Sequence, residues 1–234
     1  MYDESRYEIR QENRSNALSA CLTGVYWWMT FALLVSGLSA YMVGTSPELA
    51  RIFFKPGVFL ALAIVEIVMV IGITAGIRKL SAATATALFI LYAAINGLTL
   101  SVIFMVYTMS SIAVTFAVTA GTFGVMALIG SVTKKDLTSF GSLLGMALLG
   151  LIIASVVNIF WANSTLYWIC TYAGVLIFVG LTAYDAQKIK QMYLTMGTDN
   201  PETVRKIAVL GALSLYLDFI NLLLYLLRIF GRRR

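Results

Sequence analysis

Apolar residues run through the chain in seven long blocks, separated by charges, prolines or short polar links. The blocks cover roughly residues 22–44, 58–78, 82–106, 112–132, 140–160, 166–189 and 207–229. Each is long enough to cross about 30 Å of hydrocarbon as a helix at about 1.5 Å per residue. The runs are continuous rather than alternating, which favours helices over barrel strands. The pattern predicts an all-α polytopic membrane protein, a seven-transmembrane-helix bundle. Residues 1–21 read as a polar cytoplasmic tail and 22–234 as a single transmembrane domain. Pro47 and Pro56 punctuate the first loop. The links around 109–111 and 161–165 are short enough to force antiparallel neighbours.

Within the blocks, polar residues recur at helical spacing. Gly211, Ser214, Asp218, Asn221 and Tyr225 follow at steps of three and four and share one face of the seventh helix. A polar stripe on an otherwise apolar helix must face protein or water, so this helix is expected to be central. Thr171, Gly174, Phe178, Thr182 and Asp185 form a poorer stripe on the sixth helix, and Tyr92, Asn96 and Thr99 a third edge on the third. "DNPE" at 199–202 reads as a helix start, with Asn200 as cap and Pro201 in the first turn. The seventh helix would then begin before its apolar block, which brings Asp218 towards the level of Asp185.

Composition sharpens this picture. Of 234 residues 60% are hydrophobic and 12% charged, and mean hydropathy is +0.87. Soluble domains are about half apolar and a quarter charged. There is no histidine, which removes the usual neutral-pH switch and the commonest metal ligand. Cys21 and Cys170 form no CxxC and read as small apolar side chains. Eleven lysines and arginines fall on the side of the N-terminus and six on the other. That bias favours a cytoplasmic N-terminus and an external C-terminus. The terminal Arg232, Arg233 and Arg234 pull the other way, and a re-entrant last segment would put both ends in the cytoplasm. The formal charge of +6 is accounted for by loop lysines and arginines facing anionic lipid; no nucleic-acid surface stands out. Two GxxxG patterns, at Gly72 with Gly76 and at Gly141 with Gly145, mark candidate close-packing faces, with chance an equal explanation among 18 glycines. Trp27, Trp28, Trp161 and Trp168 lie near block ends, as an interfacial belt would.

Only three acids fall inside the blocks: Glu66, Asp185 and Asp218. An ionisable group at such a depth is costly and marks function by default. We expect Asp185 and Asp218 to face each other, with Arg78 at the end of the second helix able to pair with one. Ser214, Asn221, Glu66 and Asn96 supply a supporting polar face. Two carboxylates in contact do not both ionise easily, and their protons belong to the pair. Such a pair senses pH without histidine. Ionised, it attracts a hard cation such as Ca²⁺ weakly and transiently, because the remaining oxygen ligands must come from water, Asn221 or carbonyls. No cofactor is expected.

Around these residues the sequence resembles the Bax-inhibitor family, also called the transmembrane Bax inhibitor motif family. "VGLTAYDAQKIK" (179–190) resembles its sixth-helix segment, "LGALSLYLDFINLLLYLLRIFG" (210–231) its seventh and "LYAAINGLTLS" (91–101) its third. The likeness spans all seven blocks and is nearest to bacterial inner-membrane members. It implies a seven-helix bundle with a central last helix and a pH-sensitive calcium leak. The family's paired aspartates match Asp185 and Asp218, its locking arginine matches Arg78, and Glu66 corresponds loosely to an acid in the second helix. Eukaryotic relatives are linked to suppression of cell death, and some bacterial relatives modulate a membrane-bound protease.

The leading expectation is therefore a passive Ca²⁺ or cation pathway gated by protonation of the aspartate pair, with the bilayer, Ca²⁺ and protons as partners. A regulator that binds other membrane proteins comes second. A proton-coupled transporter comes third, because no inverted repeat is visible. An enzyme is not expected: there is no GxSxG, HExxH or Walker loop. "AYDA" (183–186) holds the YD of an intramembrane aspartyl protease, but "YLDF" (216–219) does not supply its GxGD.

Overall fold

The computed structural model describes residues 2–196 and 200–234, with side chains from Asn16 onward. Its elements are α1 (Tyr2–Thr45), α2 (Pro47–Phe53), α3 (Pro56–Gly76), α4 (Ala82–Leu100), α5 (Val102–Val106), α6 (Met109–Val132), α7 (Thr138–Trp161), α8 (Ser164–Thr195) and α9 (Pro201–Phe230). Seven of the helical stretches are long and apolar enough to span a membrane, as expected. The third span is two helices in line. Ser101 Oγ donates to the Leu98 carbonyl at 2.5 Å, competing with the helical ladder at the break between α4 and α5. The N-terminal segment is helical and continuous with the first span. Asp199 of the "DNPE" motif lies outside the described residues. The rest of that signal is realised: Asn200 Oδ1 accepts from the Glu202 N–H at 2.9 Å, with Pro201 in the first turn of α9.

α9 sits in the middle. It packs against α8, α1, α6 and α4. In its most apolar stretch 72% of residues are buried, compared with 6% in α3. Both ends of α9 are tied to the α4–α5 span. At one end the Ala82 N–H donates to Glu202 Oε1 at 2.6 Å. At the other, the Thr108 N–H donates to the Arg232 carbonyl and the Arg234 N–H to the Val106 carbonyl, both at 3.0 Å. These ties make α9 run parallel to α4 and α5 over their whole length. It is one unbroken helix, long and apolar enough to span a membrane, with no re-entrant turn in it.

Small residues let the helices approach, but mostly not at the GxxxG patterns. Added Cβ atoms at Gly72 and Gly145 would meet nothing within 4 Å, and at Gly76 only the Leu80 side chain at 3.4 Å. Gly141 alone of the four is at a tight contact, under the Tyr184 ring. The close approaches fall elsewhere. A Cβ on Gly97 would lie 2.5 Å from the Ser36 carbonyl oxygen, where α1 meets α4, and one on Gly130 would strike the Ala183 carbonyl, where α6 meets α8. GxxxG spacing guarantees only that two glycines share a face; it does not say that a neighbour lies there.

The α6–α7 loop is braced onto α8. Gln187 Oε1 accepts from the Leu137 N–H and Gln187 Nε2 donates to the Lys135 carbonyl, both at 2.7 Å. Lys190 Nζ donates to the Ser131 carbonyl at 2.9 Å. In the same loop Thr138 donates from its N–H and hydroxyl to Asp136, which holds that carboxyl below its usual range.

Gly130→Val should lower stability by about 2 kcal/mol or more, because the obstruction is backbone and α6 must move off α8. Gly145→Val, in open space, should stay within about 0.5 kcal/mol of the parent. Thermal unfolding of the purified variants in detergent separates the two.

Candidate functional site

The antiparallel contact of α8 with α9 fixes the register of the two intramembrane aspartates. Ile189 packs where a Cβ on Gly211 would go, at 2.8 Å, and the Phe178 and Tyr225 rings stack at 5.9 Å between centroids. Ser214 and Asp185 line one crevice. Asp218 is one turn further along α9, about 6 Å in helical rise. Asp185 and Asp218 open into one crevice between α7, α8 and α9. The early start of α9 is realised, and both acids line that crevice.

The crevice has a volume of about 530 Å³. Ser214, Asp218, Asn221 and Tyr225 all line it, so the polar stripe read from the sequence is its floor. Leu148, Leu151 and Ile152 of α7 form an apolar wall. Asp185 is half-buried, whereas Asp218 is buried and its Oδ2 makes no hydrogen bond with any described residue. Three residues missed in the sequence complete the picture. Arg228 continues the stripe by one more step of three and lines the far end. Its guanidinium lies 4.9 Å from the Tyr225 ring centroid and 5.5 Å from that of Tyr167. Ser155 of α7 joins the lining. Lys188, one turn beyond Asp185, is exposed, with its Nζ 5.7 Å from the Tyr184 ring centroid. The spacing of 185 to 188 and of 225 to 228 could have flagged both cations.

Arg78 is exposed in the turn after α3. It makes no ion pair with either aspartate among the described residues. α3 packs mainly on α4, so the expected lock is not formed in this conformation.

Glu66 and Asn96 belong to a second polar site. Asn96 Nδ2 donates to Glu66 Oε2 at 3.0 Å and Thr99 Oγ1 donates to Glu66 Oε1 at 2.8 Å. Tyr216 donates to Asn96 Oδ1 at 2.9 Å, and its hydroxyl lies 2.7 Å from Ser36 Oγ. Ser36 also reaches the Ala93 carbonyl at 2.7 Å. Two residues separate Tyr216 from Asp218, about 200° around α9, so the two sites occupy opposite faces of one helix. The third polar edge therefore faces α3 and the Tyr216 side of α9, not the aspartates.

Comparison with known proteins agrees with the motif resemblance. The family described as "Inhibitor of apoptosis-promoting Bax1" matches residues 18–234. The chain is 51% identical over 218 residues to the inner membrane protein YbhL of Escherichia coli K12, covering 93% of each chain. It is 46% identical over 214 residues to a Borreliella burgdorferi protein, covering 91% of this chain and 92% of that one. It is 36% identical over 223 residues to YrjE of Lactococcus lactis, covering 94% of each.

Tyr216→Phe keeps the ring contacts with Phe89 and Tyr92, at 5.8 and 5.9 Å, but deprives Asn96 Oδ1 of its donor. It should cost about 1–3 kcal/mol, the penalty of a buried group left unpaired. Equilibrium unfolding in detergent measures it.

Proposed function

Since the chain belongs to the Bax-inhibitor family of membrane proteins, we propose that it is a pH-sensitive leak pathway for cations, Ca²⁺ foremost, running through the Asp185–Asp218 crevice. One observation carries this reading. A stripe of oxygen-bearing side chains, from Asp185 and Ser214 through Asp218 to Asn221, lines one crevice between α7, α8 and α9. Ca²⁺ takes six to eight oxygen ligands. The two carboxylates, the Ser214 hydroxyl and the Asn221 amide oxygen offer part of that shell, and water offers the rest. No cluster of three or more His, Cys, Asp or Glu side chains suited to a metal occurs among the described residues. So lightly liganded a cation enters and leaves readily, which suits permeation over storage.

The chemistry of the pair supplies the pH response. Each proton taken up removes one negative charge from the crevice, and with it part of the attraction for a cation. Arg228 lines the crevice and opposes cation entry, so the aspartates must be ionised for the crevice to favour a cation at all. In this reading Arg78 acts only if the α3–α4 turn moves towards α8. The E. coli relative is named an inner membrane protein. We place this chain in the same kind of membrane, with its N-terminus cytoplasmic by the bias of lysines and arginines.

In proteoliposomes, Ca²⁺ flux through the wild type should vary between about pH 5 and pH 8. Asp185→Asn and Asp218→Asn should each lower flux about tenfold near neutral pH, the effect of losing about 1.4 kcal/mol of attraction. Both should also flatten the pH profile. Flux and profile unchanged in the two variants would sink the proposal.

A further inference from the structure

A second groove lies on the membrane-facing side of the bundle, away from the aspartates. It has a volume of about 1010 Å³ and runs between α1 and α4 with α9 as its floor. Trp28, Ala82, Ala87, Ala94, Arg205 and Val209 outline it. Its cause is local. α1 and α4 close tightly at one level, where Ser36 Oγ donates to the Ala93 carbonyl and Gly97 lies against Ser36. Towards the start of α4 the groove is lined by the small side chains of Ala82, Ala83 and Ala87 beside Thr86, Ile90 and Leu91.

One end of the groove, its mouth, is at Ala82 and Arg205, near the helix starts that the bond from the Ala82 N–H to Glu202 holds level. The other end, at Ala94, is apolar. From Ala82 to Ala94 the rise along α4 is about 18 Å. One leaflet of hydrocarbon is about 15 Å deep. The groove thus has the length of an acyl chain entering from one membrane surface.

The charge at the mouth completes the match. Glu202 is the acid there, and it is already engaged by the Ala82 N–H at 2.6 Å and by Lys206 at 3.9 Å. Arg205 is exposed and has no ion-pair partner among the described residues. Arg78 and Lys79 stand on the turn just before α4 and add positive charge at the same end. A second, smaller groove of about 430 Å³ lies between α1, α8 and α9 and shares Trp28 and Arg205 with the first. Arg205 therefore stands between two apolar channels, as a headgroup contact stands between two acyl chains. Basic pockets between transmembrane helices are a recurrent way of holding acidic lipids.

We propose that this groove is a binding site for an anionic phospholipid, with the phosphate on Arg205 and one acyl chain lying along Ala87 and Ala94. The proposal is independent of the ion-pathway reading, since none of its residues lines the aspartate crevice.

The full-length protein, purified in mild detergent, is titrated with phosphatidylglycerol or phosphatidylcholine and examined by native mass spectrometry. The wild type should retain phosphatidylglycerol about fivefold more than phosphatidylcholine, the increment of one basic residue at a membrane surface. Arg205→Gln should bring retention of the two lipids to the same level, and Arg205→Lys should keep the preference. Ala87→Phe, at an exposed position, should reduce retention of both lipids by filling the channel. Equal retention of the two lipids by the wild type would overturn the proposal. So would a phosphatidylglycerol preference that survives both Arg205→Gln and Ala87→Phe, which places the lipid elsewhere. Inorganic phosphate alone should not raise the unfolding temperature; protection by phosphate equal to that by the lipid would reduce the site to a simple anion contact and overturn it too.

Discussion

The bundle depends on one constraint: a helix with a carboxylate on one face and a tyrosine–amide network on the other cannot face lipid anywhere. Hydrocarbon offers no partner for these groups, and each unsatisfied one costs several kcal/mol. α9 therefore has to be surrounded, and the order of the other helices follows from that. α8 covers the Asp218 side, α1 and α4 cover the Tyr216 side, and α6 closes a third quarter. Hydrogen bonds at both ends then fix α9 lengthwise, through Glu202 at its start and the carbonyl of Arg232 at its finish. A helix held at both ends and on all sides is a fixed reference, against which the outer helices keep or lose their positions.

The two polar sites differ in how completely they are satisfied. On the Tyr216 face the groups are linked in series: the Ser36 and Tyr216 hydroxyls lie 2.7 Å apart, Tyr216 donates to Asn96, and Asn96 donates to Glu66. Every member has a partner, and such networks specify a single arrangement. On the opposite face Asp218 Oδ2 is buried without a hydrogen bond to the described residues, in a crevice with room beside it. One face of α9 is thus built for structure and the other is left chemically open. This asymmetry, more than the presence of two acids, separates the candidate site from internal glue.

Much of this was legible in the sequence, for identifiable reasons. Seven spans follow from uninterrupted apolar length, and the central place of α9 from its polar stripe, because both are one-dimensional consequences of a helix in lipid. The early start of α9 followed from a single cap, Asn200, which announced two turns of helix before the apolar block. What escaped depended on neighbours that no spacing names. Glu66 and Asn96 were placed with the aspartates because they are polar and intramembrane, yet the side of α9 they meet is set by the packing of α4. The glycine patterns failed likewise: Gly97 and Gly130 matter because Ser36 and Ala183 come to them, and neither sits in a GxxxG pair.

The position of Arg78 follows from the same geometry. α3 is the least buried span and rests mainly on α4. Its polar attachment is Glu66, through Asn96 and Thr99. Glu66 and Arg78 are twelve residues apart on a nearly straight run, about 18 Å of rise, so the anchor is deep and the arginine stands free at the end. A helix pinned at one deep point and loose at its end can swing that end at little packing cost, since few buried contacts are lost. Meanwhile Arg228 already supplies a positive charge to the aspartate crevice from α9 itself. Any pairing of Arg78 with Asp185 would therefore bring a second cation to a site that already has one. The added attraction would be large only when both carboxylates are ionised, which ties the reach of α3 to the charge of the pair.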